Sequence, residues 1–255
     1  MSLLEVTHLK KIYTARYGGN AVQALTDVNF TLEPGEYTAI MGESGSGKTT
    51  LLNIIATLDR STSGTVRLNG QELSTIPERQ LAEFRRKNLG FVFQDFNLLD
   101  TFTIRDNILL PLVLDRVELK EMDRQLEALS NQLGLNDLLD HFPYEVSGGQ
   151  KQRAAVARAL ITHPQLILAD EPSGALDSKS TETLLRIFEG INRQGQTILM
   201  VTHSTRAASH AGRVLFIKDG IVYHQLYRGN LTVDQFYQKI VDTLTLMTTG
   251  GRANA

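Results

Sequence analysis

The chain has no cysteine among its 255 residues. Disulfides, thiolate metal sites and a cysteine nucleophile are therefore excluded. Long apolar runs are also missing. The longest, ILLPLVL at 108–114 and ILMV at 198–201, fall far short of the ~20 residues that cross a bilayer. The N-terminal MSLLEVTHLKK lacks a basic segment leading into an apolar stretch, so it does not read as a secretory signal. The expectation is a soluble, intracellular chain that some other component must anchor if it works at a membrane. There is no basic surplus: 26 Lys and Arg face 28 Asp and Glu, a formal net charge of −2. That removes the electrostatic footprint of a nucleic-acid binder. No internal repeat is visible.

What is present fits a globular chain. Hydrophobic residues make up 42% and charged residues 21%, near the averages for folded domains and unlike disordered, collagenous or coiled-coil sequences. The length allows one large domain or two small ones, with a core that needs no staples. The first third reads as strands: Leu4, Val6 and His8 alternate with polar residues, and so roughly do Leu25, Val28, Phe30 and Leu32. Residues 65–68 lead into the turn pair Asn69-Gly70, a hairpin signal. Apolar residues 37–41 precede a glycine-rich loop and a helical stretch from Lys48 to about Leu58. From about 95 to 163 leucines recur at helical spacing (Leu126, Leu129, Leu133), interrupted at Pro143 and closed at Pro164. Buried-strand patterns return at 166–169 and 197–202, with a helix around 180–192 and a second turn at Asp219-Gly220. This order predicts an α/β core with a mostly parallel sheet and an inserted helical lobe.

Gly42-Glu43-Ser44-Gly45-Ser46-Gly47-Lys48-Thr49 fits G-x-x-x-x-G-K-[ST]. Glycines let the backbone wrap an anion with its N–H groups pointing inward. A helix starting at the loop's end adds unpaired N–H donors and the positive end of a dipole. Lys48 is expected at the β- and γ-phosphates and the Thr49 hydroxyl on Mg²⁺, with Thr50 completing the nucleotide-binding set. The apolar run 166–169 ends in Asp170-Glu171, two carboxylates at the carboxyl end of a core strand, where open α/β sheets bind ligands. Asp170 suits the Mg²⁺ shell and Glu171 a base taking a proton from attacking water.

Ser147-Gly148-Gly149-Gln150 opens an alanine-rich helix and makes a second anion site by the same backbone logic. Here the sequence resembles the ATP-binding-cassette (ABC) ATPases, whose signature is LSGGQ, with Val146 in place of the leucine. The resemblance covers nearly the whole chain and implies an α/β P-loop NTPase fold of ABC ATPase type. Its mostly parallel core sheet would carry an N-terminal antiparallel β subdomain and an inserted α-helical subdomain. The ABC ATPase domain would span 1–230, and a C-terminal helical extension and frayed tail 231–255. Tyr13 matches the aromatic that stacks on adenine, and Gln94 the glutamine that senses Mg²⁺ and meets the transmembrane partner. His203 matches the histidine at the γ-phosphate. Asp177, in Ser173-Gly174-Ala175-Leu176-Asp177, belongs to the loop that crosses between subunits. The resemblance also implies a head-to-tail dimer with ATP between one subunit's phosphate loop and the other's SGGQ helix. Loss of the γ-phosphate would open that dimer. Glu171 and His203 would orient the attacking water, and Lys48, Mg²⁺ and the opposing Ser147 and Gly149 would stabilise the developing charge; Asp177 joins this catalytic set.

Three classes carry this signature. Chromosome-maintenance and DNA-repair ATPases insert a long coiled coil between the two glycine motifs, whereas here a compact lobe lies between Gln94 and Ser147. Ribosome-associated cassettes carry two phosphate loops, and this chain has one. Transport, with a separately encoded permease, remains, and nucleic acid is not an expected partner. LAEFR at 81–85, FNLLD at 96–100, GALDSKS at 174–180 and GRVLFIKDG at 212–220 resemble the bacitracin-resistance type of peptide-antibiotic transporter. That type pairs two ATPases with one permease, often beside a two-component sensor system, at the cytoplasmic face of the membrane. Lipoprotein-release, macrolide-export and cell-division ATPases are the alternatives. Phe96, Leu98 and Leu99 are expected either to form an apolar groove for the permease or to pack the helical lobe. Val233, Phe236, Tyr237, Ile240, Leu244 and Met247 have the spacing of a helix packed on the protein's own body.

Overall fold

Period-two burial and turn chemistry build the first lobe. A computed structural model of the chain describes residues 2–14 and 21–249. Strand β1 (Leu4–Tyr13) pairs antiparallel with β2 (Val22–Leu32). β3 (Tyr37–Met41) is buried throughout and feeds, through the glycine loop, α1 (Lys48–Ile55). β4 (Ser63–Leu68) returns against β1 and turns at Asn69-Gly70, both with positive φ, into β5 (Gln71–Glu72). Two local expectations change. His8 does not point inward. Its φ of 50° makes a bulge that shifts the β1–β2 register between Val6 and Leu9 and moves burial to Leu9. The helix after the loop stops at Ile55 rather than Leu58: Thr57 turns left-handed (φ 56°) and the Leu58 amide donates back to the Asn53 carbonyl.

The helical lobe follows α2 (Glu78–Asn88) and β6 (Leu89–Phe93). It comprises α3 (Ile104–Leu114), started by the Thr103–Asp106 capping box, then α4 (Leu119–Leu133) and α5 (Gly148–Leu160). The chain re-enters the sheet at β7 (Leu166–Asp170), crosses through α6 (Ser178–Arg193) to β8 (Thr197–Val201), and continues through α7 (Thr205–Ser209), β9 (Arg213–Lys218), β10 (Ile221–Tyr227) and α8 (Val233–Thr249). The strand order is β5-β4-β1-β2-β10-β9-β3-β8-β7-β6. From β9 to β6 all pairings are parallel, while the β1, β2, β4 and β5 edge is antiparallel, as the sequence predicts.

The parallel strands divide their side chains between two cores. Leu166, Leu168, Leu199 and Val201 face α1 and the antiparallel lobe, and Ile167, Ala169, Ile198 and Met200 face the helices on the other side. α8 belongs to that second core. Phe236 and Ile240 are fully buried and Val233, Leu244 and Met247 partly so, but Tyr237 points outward, off the expected stripe. The expected frayed tail at 248–255 lies outside the described residues from 250 onward, and α8 itself reaches Thr249.

Candidate functional site

β3, β7 and β8 are neighbours and run in the same direction, so the loops after their carboxyl ends converge. The loop after β3 needs glycine where it turns into α1. Gly47 has φ 99°, and a Cβ there would come within 2.4 Å of the Ala24 carbonyl. Lys48 lies across this loop, its Nζ donating to the Gly42 and Glu43 carbonyls, both at 2.9 Å. Burial pulls its ammonium below the ordinary lysine range, against the opposing fields of Glu171 and Asp170. The Ser46 hydroxyl is buried in the same loop without a partner. A cavity of about 350 Å³ opens here, lined among others by Ser44, Gly45, Lys48, Thr49, Glu171 and His203. A glycine loop that carries an ammonium and an orphaned hydroxyl at the start of a helix suits a polyphosphate.

Glu171 sits just beyond β7 with φ 46°, a left-handed backbone rarely adopted by a non-glycine residue. Its amide donates to the Val201 carbonyl, and its carboxylate is held by the two residues that follow β8. Thr202 Oγ1 donates to Oε2 at 3.1 Å and the His203 amide to Oε1 at 2.9 Å, with His203 Nδ1 2.8 Å from Oε1. A carboxylate only accepts, so Nδ1 carries the proton in this contact. Asp170 precedes it, its carboxyl pushed up by burial and by Glu171 and pulled back by Lys48. Two carboxylates against one ammonium leave local negative charge. Thr49 and Asp170 offer the hard oxygen donors that Mg²⁺ takes.

Tyr13, Gln94, Asp177 and residues 147–150 are not among the described residues that line this cavity. Tyr13 is partly exposed; its hydroxyl donates to Asp59 at 2.7 Å and reaches Thr50 at 3.5 Å. That fixes the ring beside the start of α1. Gln94 lies against Gly174, where a Cβ would come within 2.9 Å of its Cδ. Ser147 caps α5: its hydroxyl accepts from the Gln150 amide at 3.3 Å while Gln150 Oε1 accepts from the Ser147 amide at 2.7 Å. The first-turn amides of Gly148 and Gly149 have no carbonyl one turn back to bond. Gly149 is buried against α6, where a Cβ would meet Ser180 Oγ at 2.6 Å. Asp177 caps α6, accepting from the Lys179 and Ser180 amides, both at 2.9 Å, and from the Ser180 hydroxyl. That local function is separate from its expected place between subunits.

Sequence reasoning missed Asp59, Thr202 and Gln152. Asp59 and Thr202 carry no spacing signal. Gln152 does, as a fully buried amide on an otherwise alanine-rich helix face. Nor do Phe96, Leu98 and Leu99 make the apolar groove: Leu98 packs on the core and Leu99 is exposed. The groove lies between β6 and α3 instead, with Phe91, Phe93, Leu110, Pro111 and Leu114 on its walls and Arg85, Arg86 and Arg158 at its edges.

Comparison with known proteins agrees with this geometry. The ABC transporter family model matches residues 25–174. The uncharacterised ABC transporter ATP-binding protein YvcR of Bacillus subtilis is 51% identical over 248 residues, covering 97% of this chain and 95% of that protein. The bacitracin export ATP-binding protein BceA of Halalkalibacterium halodurans is 45% identical over 244 residues, covering 95% and 96%. The dimeric post-hydrolysis structure of the ATP-binding cassette MJ0796 with ADP and Pi is 36% identical, with a TM-score of 0.79, covering 88% of this chain and 98% of that one. A phosphate-shaped loop opposite a braced glutamate, on this sheet and in this order, thus has a family: the chain belongs to the ABC transporters, as an ATP-binding and ATP-hydrolysing subunit.

Proposed function

We propose that two copies of this chain close head to tail on ATP and drive a separately encoded permease that handles peptide antibiotics. The observation carrying the dimer is the separation of the two anion-type surfaces. The phosphate loop and Glu171 share one cavity, whereas the capped N-terminus of α5 contributes nothing to it. A single chain thus offers two half-sites, and a second copy would complete both. The dimeric structure of MJ0796 with ADP and Pi supports a paired arrangement.

In the closed site the loop amides and Lys48 bind the phosphates, Tyr13 stacks on the base, and Glu171 accepts the proton of the attacking water. His203 and Thr202 hold that carboxylate in place, and Ser147 and Gly149 of the opposite copy donate to the γ-phosphate. Thr49, Asp170 and Gln94 would hold Mg²⁺, which supplies charge neutralisation between the β- and γ-phosphates. Asp177 lies in the loop that crosses between the copies.

The similarity to a bacitracin export ATP-binding protein supports the peptide-antibiotic reading. A two-component sensor fits the same reading as the source of its regulation. Among the described residues no helix is long and apolar enough to cross a membrane, so the permease would hold the subunit at the cytoplasmic face. Its cytoplasmic segment would dock in the groove between β6 and α3. Mixing tests the shared site. Lys48→Ala and Ser147→Arg are each inactive alone, but together they form mixed dimers with one intact site. Independent sites would then restore about a quarter of wild-type turnover. Absence of any recovery would sink the head-to-tail arrangement.

A further inference from the structure

Gln152 is completely buried in α5, and its Oε1 has no partner. Its Nε2 donates to two carbonyls at once, that of Phe93 at 3.1 Å and that of Pro172. Phe93 ends β6 immediately before Gln94, and Pro172 immediately follows Glu171. In the sheet Phe93 pairs with Asp170, so the amide straddles two strands at the point where their chains part. Both departing segments are strained. Glu171 has φ 46°, and Phe96 and Asn97 have φ 62° and 50°. Such conformations persist only when their surroundings hold them. The same helix supplies the second restraint, as the half-buried Arg158 guanidinium donates to the Phe96 and Asn97 carbonyls. Its first turn touches both segments as well: a Cβ on Gly148 would lie 3.6 Å from Phe96 and 3.7 Å from Leu176.

We propose that Gln152 is a positioning residue for hydrolysis: its single amide nitrogen locks the segments carrying Gln94 and Glu171 to the helix that begins at Ser147. It touches no nucleotide. It acts by fixing the backbone from which Glu171 reaches the water and Gln94 the metal, so the proposal rests on the roles assigned to those residues above. Apolar packing around the site would not substitute, because the Pro172 carbonyl would lose the Gln152 donor and the Phe93 carbonyl would keep only the more distant Phe96 amide, at 3.4 Å. The arrangement also makes α5 a rigid link between the half-site it offers the opposite copy and the half-site of its own chain.

The test compares Gln152→Met, which keeps the side-chain length and removes the donor, with Gln152→Glu, which sets an acceptor against two acceptors. Glu171→Gln runs alongside. In the whole chain, Gln152→Met is expected to lower kcat about tenfold, because both hydrogen bonds from Nε2 are lost. Its ADP affinity, set by the phosphate loop, should stay within about twofold of wild type. Gln152→Glu should be slower still near neutrality. Its turnover relative to wild type should rise from about pH 8.5 to about pH 6, as protonation of the buried acid restores a donor.

A folded Gln152→Met with wild-type kcat overturns the proposal, as does a parallel loss of turnover and ADP affinity. Failure of both variants to fold also overturns it, in favour of a structural role alone. Should Glu171→Gln itself turn over normally, the assignment of the base fails instead, and the two failures are told apart.

Discussion

The base proposed at Glu171 is useful only if its carboxylate is held in one rotamer with a lone pair left over. Three donors from residues 202 and 203 hold it, using both of its oxygens. Valine removes the Thr202 hydroxyl and keeps the shape of this fully buried side chain, although it also takes the acceptor from the Ser204 amide. Thr202→Val is expected to cost about 1 kcal/mol of positioning and to lower kcat about fivefold, with ADP affinity unchanged. Steady-state ATPase assays beside ADP titrations check this. The sequence makes Glu171 and His203 legible because each follows an apolar strand at a family-specific place. It leaves Thr202 hidden, since a threonine there reads equally well as the last residue of the strand. Only the left-handed turn at Glu171 aims the carboxylate back at β8, and no residue type announces that turn.

At the scale of elements, α5 illustrates how one motif meets two demands. Ser147 and Gln150 form a capping box that any helix would favour, whereas the proposed anion-binding role concerns only the first-turn amides the box leaves unbonded. Ser147→Ala should cost about 1 kcal/mol as a lost cap. Ser147→Asp separates the two functions, because aspartate caps as well as serine and complements the helix dipole. It should therefore keep wild-type thermal stability while its charge repels the triphosphate and abolishes turnover. Retained turnover in a stable Ser147→Asp protein would remove α5 from the active site.

A second junction, where α6, α7 and α8 meet, is expected to respond to pH. His210 is buried with Nδ1 3.1 Å from Glu189, near Glu182 and beside Arg206 and Arg228. Burial pulls its imidazole below the ordinary histidine range despite the two carboxylates. The unfolded chain then binds the proton more readily, so stability is full above about pH 6.5 and declines as pH falls below it. Glu182, held below its usual range, loses its contribution only at more acid pH. The urea midpoint should drop between about pH 7.5 and about pH 5.5, and His210→Gln should flatten that drop.

At the scale of the molecule, the mostly parallel sheet and the inserted helices were legible because they follow from hydrophobic period and turn pairs, as at Asn69-Gly70 and Asp219-Gly220; the order of the strands was not, because period and turns do not say which strands are neighbours. Which lobe presents the apolar groove was not legible either. Phe96, Leu98 and Leu99 look like a patch in sequence, but the left-handed turns at Phe96 and Asn97 redirect the chain and leave the groove to Phe91, Phe93, Leu110 and Leu114. The same scale decides how the activity depends on concentration. If the phosphate loop and the α5 cap belong to different half-sites, a lone chain holds both halves and completes neither, and turnover follows the dimer population. Specific activity of the free subunit should therefore fall on dilution, approaching a linear dependence on protein concentration well below the dimer dissociation constant. Glu171→Gln, which keeps ATP unhydrolysed, should hold the dimer together at dilutions where wild type has separated. Size-exclusion chromatography with light scattering reads the dimer directly, and an ATPase dilution series reads its consequence. A specific activity that stays constant from micromolar to nanomolar protein, with a monomeric elution profile throughout, would mean that one chain completes its own site.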